Sequence, residues 1–106
     1  MPFKLFFLPS YERCLKGLDS RHRRLAGLVI TALTHYFESE SIASSHIYTV
    51  GLEGRTYRLV FKKLRGLIWE AYIEGQLRLL TRLEKETHFL VFAGNHDQVR
   101  KFLKES

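Results

Sequence analysis

Leu67-Ile68-Trp69-Glu70-Ala71-Tyr72-Ile73-Glu74-Gly75-Gln76-Leu77-Arg78-Leu79-Leu80-Thr81-Arg82-Leu83 decides the fold. Leu67, Trp69, Ala71 and Ile73 alternate with Ile68, Glu70 and Tyr72, and after Glu74-Gly75 the alternation resumes with Leu77, Leu79, Thr81 and Leu83 against Arg78, Leu80 and Arg82. A period of two on both sides of a short Gly-containing break predicts an antiparallel hairpin with one face buried. Working outward, Tyr57, Leu59 and Phe61 alternate with Arg58, Val60 and Lys62, and Thr87 follows a second hairpin-length break, Glu84-Lys85-Glu86, before the apolar run His88–Ala93. These segments predict a meander of neighbouring antiparallel strands.

The flanks of the meander read differently. Leu25, Leu28, Val29, Ala32, Leu33, Tyr36 and Phe37 recur at offsets of three and four, with Arg24, Thr31, Thr34, His35 and Glu38 opposite them. This spacing predicts a long amphipathic helix opened by Asp19 or Ser20. Before it, Phe3–Leu8 is an aromatic-rich run closed by Pro9, expected as a buried strand. Ser10 is the expected cap of a short helix through Cys14 and Leu15, with Gly17 as a left-handed stop. The serines at 39, 41, 44 and 45 predict a connecting loop from Glu38 to His46. Asn95 with Gln98 three residues on is a capping-box spacing for a final helix whose apolar side is Val99, Phe102 and Leu103 and whose basic side is Arg100, Lys101 and Lys104. The expected architecture is α+β in one domain, residues 1–106. A strand and two helices pack on a mainly antiparallel sheet of four to five strands, with a short C-terminal helix.

Composition narrows the function. The chain has 106 residues, 45% hydrophobic and 26% charged, which suits one globular core. Its net charge of +6 favours polyanions or an acidic partner. The single cysteine, Cys14, leaves neither an internal disulfide nor a multi-cysteine zinc site. No apolar run approaches the roughly 18 residues of a transmembrane span. The start, Met1–Pro9, is short and proline-broken for a signal peptide, so a cytoplasmic location is expected. Glycine-rich phosphate loops, nucleophile elbows and metal-ligand spacings are absent from the sequence, and no cofactor or metal is expected.

The cations cluster. Arg55, Arg58, Lys62, Lys63 and Arg65 follow one another with no carboxylate between them, Arg78 and Arg82 share one strand face, and Arg100, Lys101 and Lys104 lie on the last helix. Side by side, these strands would present a positive stripe of the kind a phosphate backbone requires. The bland alternative is a solubilising face with protected edges. Arg21, Arg23 and Arg24 at the start of the long helix oppose its dipole, which fits either a partner-binding role or a solvated face. Metal-free phosphodiester cleavage needs a base for the ribose 2′-OH, an acid for the departing 5′ oxygen, and cations for the charge developing on phosphorus. Arg78, Arg82, Lys62 and Lys63 are candidates for the charge, and His96 or Glu70 for the protons. For His96, in Gly94-Asn95-His96-Asp97, the alternative is a solvent-exposed ring at a helix start.

Three stretches carry a resemblance: Trp69–Ile73, Gln76-Leu77-Arg78-Leu79-Leu80, and Phe89–Ala93 running into Gly94-Asn95-His96-Asp97. Together with the order of elements, they resemble the RelE/ParE toxin superfamily. The resemblance implies a RelE-like toxin of a type II toxin–antitoxin system, neutralised by an acidic antitoxin protein. It also implies a metal-independent endoribonuclease that cleaves messenger RNA, on the ribosome, and so represses translation. The partners implied are the antitoxin, messenger RNA and ribosomal RNA, with no membrane and no small-molecule cofactor. By position, Arg78 matches the arginine that supports the phosphate, and His96 matches a catalytic histidine of YafQ-like members. On chemistry and charge clustering rather than on the resemblance, Arg82 and Glu70 complete the candidate catalytic set, and Arg58, Lys62, Lys63, Arg65, Arg100 and Lys101 are the candidate RNA-binding residues. Two positions differ from the family pattern: Trp69–Tyr72 stands where the ribonucleases carry basic residues, and Arg100 where an aromatic ring stacks on a base. Two other readings accompany this one, a ParE-like inhibitor of DNA gyrase that cleaves nothing, and a degenerate toxin that only binds its antitoxin.

Overall fold

The computed structural model describes residues 4–38 and 45–105. Of the loop expected from Glu38 to His46, residues 39–44 lie outside the described residues, as do Met1 to Phe3, while Glu38 belongs to α2 and Ser45 and His46 already belong to β2. The order is β1 (Lys4–Phe7), α1 (Pro9–Gly17), α2 (Ser20–Glu38), β2 (Ser45–Leu52), β3 (Arg55–Arg65), β4 (Ile68–Ile73), β5 (Leu77–Glu84), β6 (Thr87–Gly94) and α3 (His96–Glu105). The strands form one six-stranded mixed sheet in the order β1-β6-β5-β4-β3-β2. Every pairing is antiparallel except β1 with β6, which is parallel.

The sheet thus has six strands rather than the expected four to five, and the addition is β2. It is an edge strand paired to β3 alone, and apolar residues fall on both its alternations, Ile47 being 54% exposed while Val50 is buried, so its pattern does not stand out in the sequence. Its turn to β3 is Glu53-Gly54, both with positive φ (52° and 77°), a backbone form that a two-residue hairpin turn demands and glycine adopts freely. β1 is also an edge strand, and Phe6 and Phe7 are 53% and 41% exposed, so the aromatic run is not the buried strand expected.

Two helices lie on one face and the third on the other. Leu25, Val29, Leu33, Tyr36 and Phe37 of α2 are buried against Leu59, Phe61, Trp69, Ala71, Ile73, Leu79 and Leu90 of the sheet. Asp19 opens α2: its carboxylate accepts the His22 backbone N–H at 2.8 Å and the His22 ring at 2.8 Å. These bonds hold the Asp19 carboxyl below its usual range, the backbone bond contributing most. α1 begins with Pro9 at its first turn after Leu8, and Ser10 does not cap it. The Ser10 hydroxyl instead donates to the Val91 carbonyl at 2.8 Å and ties the helix to β6. Gly17 ends α1 without a left-handed conformation; Leu18, extended, closes the helix through its N–H to the Leu15 carbonyl.

On the opposite face Val99 of α3 packs on Leu80 and Val91, and Phe102 stacks on Phe92 with centroids 4.5 Å apart. The capping box is formed, with Gln98 N–H donating to Asn95 Oδ1 and Asn95 N–H to Gln98 Oε1, both at 2.8 Å. No helix among the described residues is long and apolar enough to cross a membrane.

Candidate functional site

Alternation places Lys62, Glu70, Tyr72, Arg78, Leu80 and Arg82 on the face that carries α3. The register sets Lys62 opposite Glu70 and Tyr72 opposite Arg78. The arginine is fixed on three sides. Its Nη1 lies 3.1 Å from Glu70 Oε2, its Nη2 lies 3.2 Å from Glu74 Oε2, and its guanidinium carbon sits 4.5 Å from the centre of the Tyr72 ring. The Lys62 ammonium approaches that ring at 5.4 Å, so Tyr72 carries two cations on its π-system. The Glu70 side chain is only 5% exposed and that of Arg78 14%, while the Glu74 carboxylate is 81% exposed. A carboxylate buried to that degree requires a partner, and Arg78 is that partner.

Arg78 opens into a cleft of about 320 Å³ between the β4–β5 turn and the start of α3. Glu74 and Gln76 form one wall and Asn95, His96 and Asp97 the other. His96, the first residue of α3, is exposed, so a ring able to take or give a proton shares the cleft with the arginine. A second, larger groove of about 630 Å³ runs along α3, lined by Arg65, Arg100, Lys101 and Lys104, with Asp97 on its border with the cleft. Arg65 is anchored there by donating to the Leu103 carbonyl at 2.8 Å.

The expected site residues therefore divide. Arg78, Glu70, His96 and Lys62 come together, and Arg65, Arg100 and Lys101 form the neighbouring groove. Arg82 shares the face but is exposed, ion-paired with Glu84 at 2.6 Å and 6.0 Å from the Phe89 ring centre. Lys63 opposes Trp69 and belongs to the other alternation, and Arg58 opposes Thr49 beyond the ladder of β3 with β4. Of the helix-start arginines, Arg21 donates to Gln76 Oε1 at 2.7 Å and to the Tyr57 hydroxyl, and Arg24 pairs with Glu53. Tyr72 and Glu74 are the residues that charge counting passes over. The signal for both lies in the turn: once Ile73 pairs with Leu77, Tyr72 must face Arg78 and Glu74 must project beside it.

No family model, curated protein or solved structure matches this chain. Among the described residues no three histidine, cysteine, aspartate or glutamate side chains gather as metal ligands would. A guanidinium held from behind by a buried carboxylate, open to a cleft shared with an imidazole, is equipped to hold an oxyanion and move a proton beside it.

One further feature flanks the sheet on the α1–α2 side. Phe7, Tyr11, Leu15, Ala26 and Ile30 line a mainly apolar groove of about 370 Å³ beside the open edge of β1. Tyr11 is 1% exposed, and burial, with a smaller contribution from Cys14, pushes its hydroxyl up to about 12.

Proposed function

We propose that this chain is a RelE-like toxin of a type II toxin–antitoxin pair, acting in the cytoplasm as a metal-independent messenger RNA endonuclease. The observation that carries the reading is the Glu70–Arg78 pair opening onto the cleft of His96. In this reading Arg78 supports the charge that builds on the scissile phosphate, and His96 exchanges protons with the 2′ or 5′ oxygen. Glu70 is a positioning residue: burial and its bond to Arg78 suit it to orient the guanidinium rather than to reach substrate. Lys62 flanks the phosphate, Arg82, four residues along β5 and paired with Glu84, stays outside the seat, and Arg65, Arg100 and Lys101 receive the neighbouring backbone in the basic groove. The order of elements, one strand, two helices, a meander and a final helix, supports the same family reading. The apolar groove beside β1, on a chain of net charge +6, suits an acidic antitoxin segment with an apolar stripe.

The test is induced expression in a bacterial host with primer extension on an abundant messenger RNA. New 5′ ends are expected with the wild type and should vanish with His96→Gln. Arg78→Ala should also abolish them, and Arg78→Lys, which keeps a cation beside Glu70, should leave a trace once a thermal melt shows it folded. Growth arrest with intact messages and damaged DNA would instead establish the gyrase-inhibitor reading, which the two carboxylates on Arg78 favour. No arrest, with binding to an acidic partner retained, would leave an antitoxin-binding module.

A further inference from the structure

The two carboxylates on Arg78 are not equivalent. Glu70 is buried and sits behind the guanidinium, on the neighbouring strand. Glu74 is 81% exposed, stands at the β4–β5 turn beside Gly75 (φ 74°), and has no other ion-pair partner among the described residues. It holds the guanidinium edge from the wall of the cleft, where an incoming oxyanion would bind.

We propose that Glu74 is a built-in competitor at an oxyanion seat made by Arg78. A phosphate group binds by displacing the Glu74 carboxylate from Nη2, while Glu70 keeps its hold on Nη1. A contact from a largely solvent-exposed carboxylate is weak and is readily exchanged for water. Removing the Glu70 contact would strand a buried charge, so that contact stays. A phosphate brings two or more acceptor oxygens to the same fork and can replace the single oxygen that leaves. The fixed carboxylate orients the arginine, the exchangeable one keeps the seat filled, and only an anion that binds better than a surface glutamate gains access. Glu74 thereby becomes a specificity-determining residue, raising the threshold against simple anions and favouring ligands with additional phosphates in the Arg65–Arg100–Lys101 groove.

The inference rests on reading Arg78 as a phosphate support, but its test does not use cleavage. The probes are inorganic pyrophosphate, followed by isothermal titration, and a fluorescein-labelled 2′-O-methyl oligoribonucleotide, which cannot be cut, followed by anisotropy. Glu74→Gln should tighten both by about two- to fivefold, the worth of the exposed pair it removes. Glu84→Gln removes the same charge beside Arg82, and its smaller gain sets the purely long-range effect. In a Glu70→Gln, Arg78→Gln background, which leaves neither a cation for Glu74 to hold nor a stranded buried charge, the gain from Glu74→Gln should disappear. Equal gains for Glu74→Gln and Glu84→Gln, a gain that persists without Arg78, or no binding of either probe at low salt would each overturn the proposal. A specific gain without any messenger cleavage in cells would sustain it while removing the nuclease reading.

Discussion

At the level of single residues, the buried polar groups are the ones whose removal is informative. Glu70 and Arg78 hold each other in place, so removing either strands the other. Glu70→Ala is expected to cost about 3 kcal/mol in urea denaturation, because a cation remains in a half-closed site without its main partner. Replacing both residues with leucine should cost less than either single change, since no buried charge is then left over. His88 makes a different prediction. Its ring is 2% exposed, stacks 4.8 Å from Phe37 and lies 2.8 Å from the Thr81 hydroxyl, and burial holds its pKa down to about 4. An unfolded histidine titrates near 6.5, so between pH of about 6.5 and about 4 the unfolded chain takes up a proton that the folded chain refuses. Stability should fall with pH through that window by up to about 3 kcal/mol, and His88→Gln, which cannot titrate, should flatten the decline. The sequence shows His88 only as one of five scattered histidines, at the start of an apolar run; that it faces Phe61 and Trp69 of the sheet and Phe37 of α2 follows from tertiary packing.

At the level of elements, legibility followed how strongly tertiary packing repeats along the chain. α2 was readable because one stripe meets one sheet face over its whole length, and β3–β6 because each has neighbours on both sides and a period enforced by two different environments. β2 and β1 sit at the edges, where one side faces no strand, and their patterns are correspondingly blurred. The position of α3 on the face opposite α1 and α2 was not readable, since amphipathicity reports that a helix packs but not on which side of the sheet. The same gap applies to the site: Arg78 and His96 were visible as residue types, whereas the clamp of Glu70, Tyr72 and Glu74 depends on strand register. The junction of β6 and α3 supplies an element-scale prediction. A methyl group at Gly94 would stand 2.6 Å from Gln98 Oε1 and 3.1 Å from Phe92. Gly94→Ala must therefore push Gln98 off the Asn95 N–H and open the capping box. The expected loss is about 1 kcal/mol of stability, with faster amide exchange in the first turn of α3.

At the level of the whole molecule, the basic groove and the Arg78 cleft share Asp97 on their border. On the proposed nuclease reading, affinity for single-stranded RNA should fall steeply with salt. The triple variant Arg65→Ala, Arg100→Ala, Lys101→Ala should bind more weakly and lower the log–log salt slope by about 2, the release expected for three phosphate contacts. An unchanged slope would place the nucleic acid elsewhere. The parallel pairing of β1 with β6 bears on how the molecule comes into being. Lys4 meets Thr87 across about eighty residues of chain, one of the longest loops this domain can close. Because a ribosome delivers the chain from its amino end, β1 and the apolar stripe of α2 are made well before the strands they pack against, β6 for β1 and mainly β3–β5 for α2, with Leu90 of β6 closing the cluster. Completion of the core is thus a late event timed by translation of residues 87–94, and until then the nascent chain presents adhesive surface that chaperones, or an early-binding partner, are placed to occupy.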